Sequence, residues 1–189
     1  MDRSGPFARM LARFEPRDDR ERRHRDEMIA LTSSGERAFD REAVDPGHFT
    51  ASAFVLHPEG DRLLVVLHGK LGLWLQPGGH VEPSDADCAA AAARELYEEC
   101  GIYARRLEDC PIDLDVHEIP AFGALPAHRH FDVRFAFAAD GVDVRAGSDA
   151  RAARWVQLDE LDHMATDASV RRTARRLSTA AVCGARKGA

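Results

Sequence analysis

The spacing of apolar residues changes along this chain, and each change predicts an element. The first forty or so residues are highly charged: PRDDRERRHRDEMIALTSS mixes both signs, has no proline after its first residue, and predicts a solvated arm helix. VDPGH, from Val44 to His48, breaks that pattern with Asp-Pro-Gly. From Phe49 the spacing becomes that of strands. FTASAFVLH and RLLVVLH predict two strands joined by the turn PEGD, the second nearly continuous in Leu and Val, as in a strand buried on both faces. LGLWLQPGGHVE predicts extended chain bending at Pro77-Gly78-Gly79. Ala86 to Cys100 predicts a helix, with Ser84 or Asp85 as cap and Gly101 at its C-terminal stop. IDLDVHEI and HRHFDVRFAFAA alternate as strands across the loop PAFGALPA, and Asp140-Gly141 predicts a hairpin into VDVRA. ARWVQLDELDHMA predicts a short strand running into a helix, and Ser169 to Val182 a final helix. This order predicts an α/β chain of the α+β type. A mixed sheet is sandwiched between helices over residues 47–189, behind an N-terminal helical arm over residues 1–46.

Composition narrows the partners. A chain of 189 residues suits one domain with an appended arm. The net charge of −6 argues against broad nucleic-acid binding, which needs a basic surface. A local phosphate site stays compatible, because a cation and a few arginines reverse the sign locally. Cys88, Cys100, Cys110 and Cys183 include no C-x-x-C pair and are expected to be reduced thiols in a cytoplasmic protein. The charged N-terminus lacks the apolar stretch of a signal peptide, and no apolar run approaches the ~20 residues of a membrane helix. The arm makes a homodimer one candidate assembly.

The chemistry concentrates in QPGGHVEPSDADCAAAAARELYEECGI, Gln76 to Ile102. On a helix Glu95, Glu98 and Glu99 stand at i, i+3 and i+4 and share a face. Cys88 or Ala89, Ala92, Leu96 and Cys100 fall on the opposite, apolar face. Arg94 is placed to pair with Glu98. The remaining carboxylates call for a cation, and an oxygen-only ligand set favours Mg²⁺ or Mn²⁺ over zinc. An acidic helix face is often merely solvated. The double glycine just upstream argues otherwise, since it lets backbone groups approach an ion or phosphate closely.

The same stretch resembles the signature of the Nudix hydrolases, G-x5-E-x7-R-E-U-x-E-E-x-G-U, with U a bulky aliphatic. Gly79 is followed by five residues, Asp85, eight residues, and then Arg94-Glu95-Leu96-Tyr97-Glu98-Glu99-Cys100-Gly101-Ile102. The C-terminal half matches at every fixed position. The first half departs twice, with Asp85 for glutamate and a spacer one residue longer. The resemblance spans roughly Gly47 to Ala165 and implies a Nudix fold. It also implies hydrolysis of a diphosphate bond in a nucleoside diphosphate linked to another group. By motif position, Glu95, Glu98, Glu99 and the Gly78 carbonyl would hold divalent cations, and Arg94 would orient a carboxylate. Glu98, Glu99 or a residue outside the motif would be the general base.

Other polar positions are candidates for the groove. His128, His130, Asp132 and Arg134 share one face of their strand, opposite Phe131, Val133, Phe135 and Phe137. Either this face is simply exposed, or Arg134 and the histidines contact phosphate while Asp132 serves as base or extra ligand. Asp113, Asp115 and His117 align similarly, and His117, His128 and His130 are a conceivable zinc set without a cysteine. His80 and Glu82 would border the phosphates. Trp74 reads as a core or groove-wall residue, and RRTARR as a solvated helix face. Two rivals stand beside the hydrolase. One is a non-catalytic Nudix-fold module that binds a nucleotide. The other is a diphosphate isomerase, which would need a groove cysteine, whereas Cys88 and Cys100 fall on the core face.

Overall fold

The computed structural model describes residues 3–121, 123, 125–147 and 150–185, with side chains described as far as residue 177. Its sheet comprises β1 (Gly47–Leu56), β2 (Arg62–His68), β3 (Trp74–Leu75), β4 (Gly78–His80), β5 (Ala104–Arg106), β6 (Asp113–Ile119), β7 (His128–Ala139) and β8 (Ala150–Gln157). The order is β3-β2-β1-β7-β5, with β4 on β1, β6 on β7 and β8 on β2. β1 is buried along its whole length and runs parallel to β7, while the other pairs are antiparallel. The mixed sheet follows the predicted one.

Helix α1 (Ser4–Ala12), helix α2 (Asp19–Leu31) and a 3-10 segment (Thr32–Phe39) form the N-terminal region. It is not a solvated arm. Phe7, Leu11, Phe14, Met28, Leu31 and Phe39 join the same buried cluster as Phe49 and Leu96. The rings of Phe7 and Phe39 lie 4.7 Å and 5.2 Å from that of Phe49. Charge hid this packing. Glu21 is fully buried, accepting from the Arg17 amide at 2.7 Å and pairing with Arg176 at the far end of the chain.

Helix α3 (Cys88–Cys100) covers the same sheet face, and α4 (Ala168–Ala185) covers the other, where Val170, Ala174 and Leu177 pack on Phe54, Val65 and Ala136. The expected hairpin strand VDVRA is absent. After the turn the chain runs along the C-terminal end of α3 instead, where the Arg145 and Gly147 amides donate to the Cys100 and Glu99 carbonyls at 3.0 and 2.8 Å. Those carbonyls have no partner within the helix, so they compete successfully with a hairpin for the segment's donors. β8 begins only at Ala150. The helix expected after it is a short 3-10 turn, Glu160–His163. Among the described residues, no helix is long and apolar enough to cross a membrane.

Candidate active site

Asp87 caps α3, its side chain accepting from the Ala90 amide at 2.8 Å. The cap is therefore neither Ser84 nor Asp85. At the other end Gly101 takes the left-handed conformation, with φ of 70° and its amide on the Tyr97 carbonyl at 2.8 Å, as predicted. Moving the cap to Asp87 frees Asp85, which turns inward and is 7% exposed. It accepts from Arg94 through Nε at 3.1 Å and Nη2 at 3.0 Å, and from the Glu82 amide at 2.8 Å.

Arg94 is the hub of the site. Nη1 donates to Glu95 Oε1 and Glu98 Oε2, each at 3.0 Å, and Nη2 to the His80 carbonyl at 2.8 Å. The bonds to Asp85, then those to Glu95, raise its pKa further above the guanidinium range. Burial pushes the Glu95 carboxyl up, against the lowering effect of Arg94. Glu98 is the more open carboxylate, with 55% of its side chain exposed. The Gly78 amide donates to Glu99 Oε2 at 3.1 Å, tying the glycine turn to the helix. Glu82 lies further out, 4.0 Å from Arg94.

The two glycines have different physical reasons. A Cβ on Gly79 would stand 2.5 Å from Glu95 Oε1, so the missing side chain is the space that Glu95 fills. A Cβ on Gly78 would meet backbone, at 2.7 Å from the Ala51 carbonyl oxygen. The donor set suits a hard divalent ion. One guanidinium answers Asp85, Glu95 and Glu98 together, leaving an excess of carboxylate oxygen and no nitrogen or sulfur donor.

The residues from 46 to 177 match the model of the NUDIX domain. The chain belongs to the Nudix hydrolase family. Members of this family hydrolyse nucleoside diphosphate derivatives and generally use divalent metal ions. Phosphatase NudJ of Escherichia coli strain K12 is 51% identical over 55 residues, which is 28% of this chain and 35% of that protein. The match thus spans about a third of the curated relatives' length. A NUDIX-family hydrolase from Clostridium perfringens has a TM-score of 0.55 at 19% identity, covering 70% of this chain and 96% of that one. An Ap4A hydrolase binary complex from C. elegans gives 0.51 at 22% identity, covering 72% and 98%. The NUDIX domain of Shewanella oneidensis NrtR, complexed with ADP ribose, gives 0.51 at 16% identity, covering 68% and 84%.

The second polar face of this Nudix domain is not exposed. Arg134 is 2% exposed and holds Asp132 through Nε at 2.8 Å, with Asp113 and Asp115 each at 3.3 Å. Asp132 in turn accepts from Ser52 at 2.8 Å and Thr50 at 3.3 Å. Helix α4 closes the cluster with Arg172 on Asp113 and Asp115 at 2.8 and 2.7 Å, and with Arg176 on Asp113 at 2.5 Å. RRTARR is therefore not a solvated face: Arg172 and Arg176 turn inward, one helical turn apart. Burial opposes ionisation of Asp115, but His117, Arg134 and Arg172 outweigh it and hold its carboxyl well below the usual range. The Thr173 hydroxyl also donates to Asp113 at 2.8 Å. Ser52, Thr50, Arg172, Arg176 and Thr173 were not legible as partners. The only hint was the acidic alternation of β6 left without a visible counter-charge.

His80, His128 and His130 gather at the other end of this face together with His48, whose place no local sequence pattern signals. Burial lowers the pKa of His48, His80 and His130, that of His80 to about 4. Trp74 is half-buried beneath the Arg154 guanidinium, 4.4 Å from its ring centre. A cleft of about 900 Å³, lined by Arg3, Phe7, Met10, Phe39 and Asp85, lies by the N-terminal end of α3 and includes none of Glu95, Glu98 and Glu99.

Proposed function

We propose that this chain is a Mg²⁺- or Mn²⁺-dependent hydrolase of a diphosphate bond in a nucleoside-diphosphate-linked small molecule. The observation that carries this reading is the Arg94 hub, which holds Glu95 and Glu98 on the face of α3 presented to the glycine turn. Glu95, Glu98, Glu99 and the Gly78 backbone would hold the divalent ion, which would neutralise phosphate charge and make bound water more acidic. Glu98, Glu99 or a residue outside the motif would accept the water's proton. Arg94 and Asp85 are positioning residues. Glu82 and the His80 backbone, whose carbonyl accepts from Arg94, would border the phosphates. Asp132 and Arg134 would support the groove from buried positions instead of touching substrate. The hydrolase domain would span residues 47–189, with residues 1–46 packed on it.

The test is a panel of nucleotide diphosphate compounds, including ADP-ribose and Ap4A, incubated with Mg²⁺ or Mn²⁺ and read by mass spectrometry. The expected result is metal-dependent cleavage that disappears in Glu98→Gln and Glu99→Gln. Calorimetric binding of a nucleotide without cleavage of any compound would replace the hydrolase with the binding module.

A further inference from the structure

We propose that His48, His128 and His130 form a binding site for a first-row transition-metal ion of the zinc class, separate from the carboxylate site on α3. The sheet register brings them together. His48 on β1 pairs directly with His130 on the parallel strand β7, and Thr50 pairs with His80 on β4. One ring nitrogen from each of His48, His128 and His130 lies within 4.8 Å of the other two.

The hydrogen bonds fix which nitrogens are free. His48 Nδ1 lies 3.0 Å from the Ala43 carbonyl, and His128 Nδ1 lies 3.0 Å from the Pro126 carbonyl. A carbonyl only accepts, so each Nδ1 carries the proton and each neutral ring keeps a lone pair on Nε2. This is the arrangement that metal-bound imidazoles use, with the distal N–H held by a backbone oxygen. His48 Nε2 is buried without a hydrogen-bond partner, a costly arrangement for a lone pair in a finished core. His128 Nε2 accepts from His130 Nε2 at 3.2 Å, a proton that would move to His130 Nδ1 when an ion takes its place. Two nitrogens on one tetrahedral zinc, each bonded at about 2.0–2.1 Å, stand roughly 3.3–3.4 Å apart, so this pair is already at ligand spacing.

The donors also select the ion. Three neutral imidazoles favour zinc, cobalt, nickel or copper over Mg²⁺, which wants oxygen. His80, with its ring centre 5.1 Å from that of His48 and 5.4 Å from that of His130, is placed to complete the shell. His117 is left outside: its ring is engaged with Asp115 at 3.2 Å and 41% of its side chain is exposed. The two metal sites lie on opposite faces of the sheet. Gly79 pairs with Ala51, a residue of the core cluster that α3 covers, whereas His80 pairs with Thr50, which bonds Asp132 on the other face.

Untagged full-length protein, stripped with a chelator, would be titrated with Co²⁺ and followed by visible absorption, then challenged with Zn²⁺. The expected result is one equivalent of Co²⁺ giving a tetrahedral-type band that Zn²⁺ abolishes. The band should persist in the Glu98→Gln, Glu99→Gln double variant and vanish in His128→Gln and in His130→Gln, with circular dichroism unchanged. No band in the parent protein overturns the proposal whatever the variants do. So does a band that survives both histidine substitutions or disappears with the carboxylates. The proposal does not depend on the hydrolase reading, which the double variant tests separately through turnover.

Discussion

Asp85 and Arg94 face each other through two near-parallel hydrogen bonds, Nε to Oδ1 at 3.1 Å and Nη2 to Oδ2 at 3.0 Å. The same guanidinium carries Glu95 and Glu98, so Asp85 sets the aim of two carboxylates it does not touch. Asp85→Ala should lower metal-dependent kcat by roughly 10- to 100-fold through misplacement of Glu95 and Glu98. Asp85→Asn, which keeps one acceptor oxygen, should lose less. Steady-state kinetics on the two variants checks the order. Equal activity in parent and Asp85→Ala would remove Asp85 from the positioning chain.

Gly78 and Gly79 should fail in different ways. The three atoms nearest a methyl at Gly79 all belong to the Glu95 carboxyl group, the end of a side chain that is able to rotate away. Gly79→Ala should therefore fold with nearly the parent's Tm and lose most of its turnover. A methyl at Gly78 meets the Ala51 carbonyl and the Ser52 Cα at 2.7 and 2.8 Å, so β4 must leave β1. Gly78→Ala should be destabilised by about 1–3 kcal/mol in urea unfolding. A stable, active Gly79→Ala would show that Glu95 needs no fixed place.

What was legible in the sequence was local. Arg94, Glu95, Glu98 and Glu99 lie within two helical turns, and Gly101 ends that helix by its own backbone freedom. Asp85 was readable only as a departure from a motif, because its role depends on a loop that places the helix cap at Asp87. The buried partners of Arg134 come from β6 and α4, and no periodicity links them. α2 hid its packing because its inward face includes Glu21, an acid that Arg176, far along the chain, helps make tolerable in the interior. The same holds for His48, which joins His128 and His130 only through the parallel pairing of β1 with β7.

Phe39 closes the N-terminal segment over Phe49. Phe39→Ala should lower stability by about 3 kcal/mol, the usual cost of deleting a buried ring. Turnover at a temperature where the variant remains folded should hold. Unchanged urea unfolding would return the N-terminal region to the status of a loose arm.

The strand alternation offers Arg134 as a phosphate contact, for which Arg134→Ala would act on turnover. Its burial among Asp113, Asp115 and Asp132 changes the expected readout to stability. Removing the guanidinium leaves Asp132 without its cation, at a cost of about 3 kcal/mol. Arg134→Met, which keeps much of the volume, should be almost as unstable, because the missing charge matters more than the space. A tenfold loss of kcat at unchanged stability would put Arg134 back in the substrate groove.

The same cluster sets an acid limit. Asp115 has a folded-state pKa held well below its ordinary 3.8, so the folded state binds fewer protons than the unfolded state as pH falls through the ordinary carboxylate range. Its contribution is present above that range and declines as pH falls below about 4 towards the folded value. In Asp115→Asn that contribution is gone at every pH. The stability gap between parent and variant, from urea unfolding at a series of pH values, should stay constant from pH 7 to about 5 and narrow below about 4. A gap that widens on acidification would mean that Asp115 gains a proton on folding, which the three guanidiniums of Arg20, Arg134 and Arg172 around it forbid.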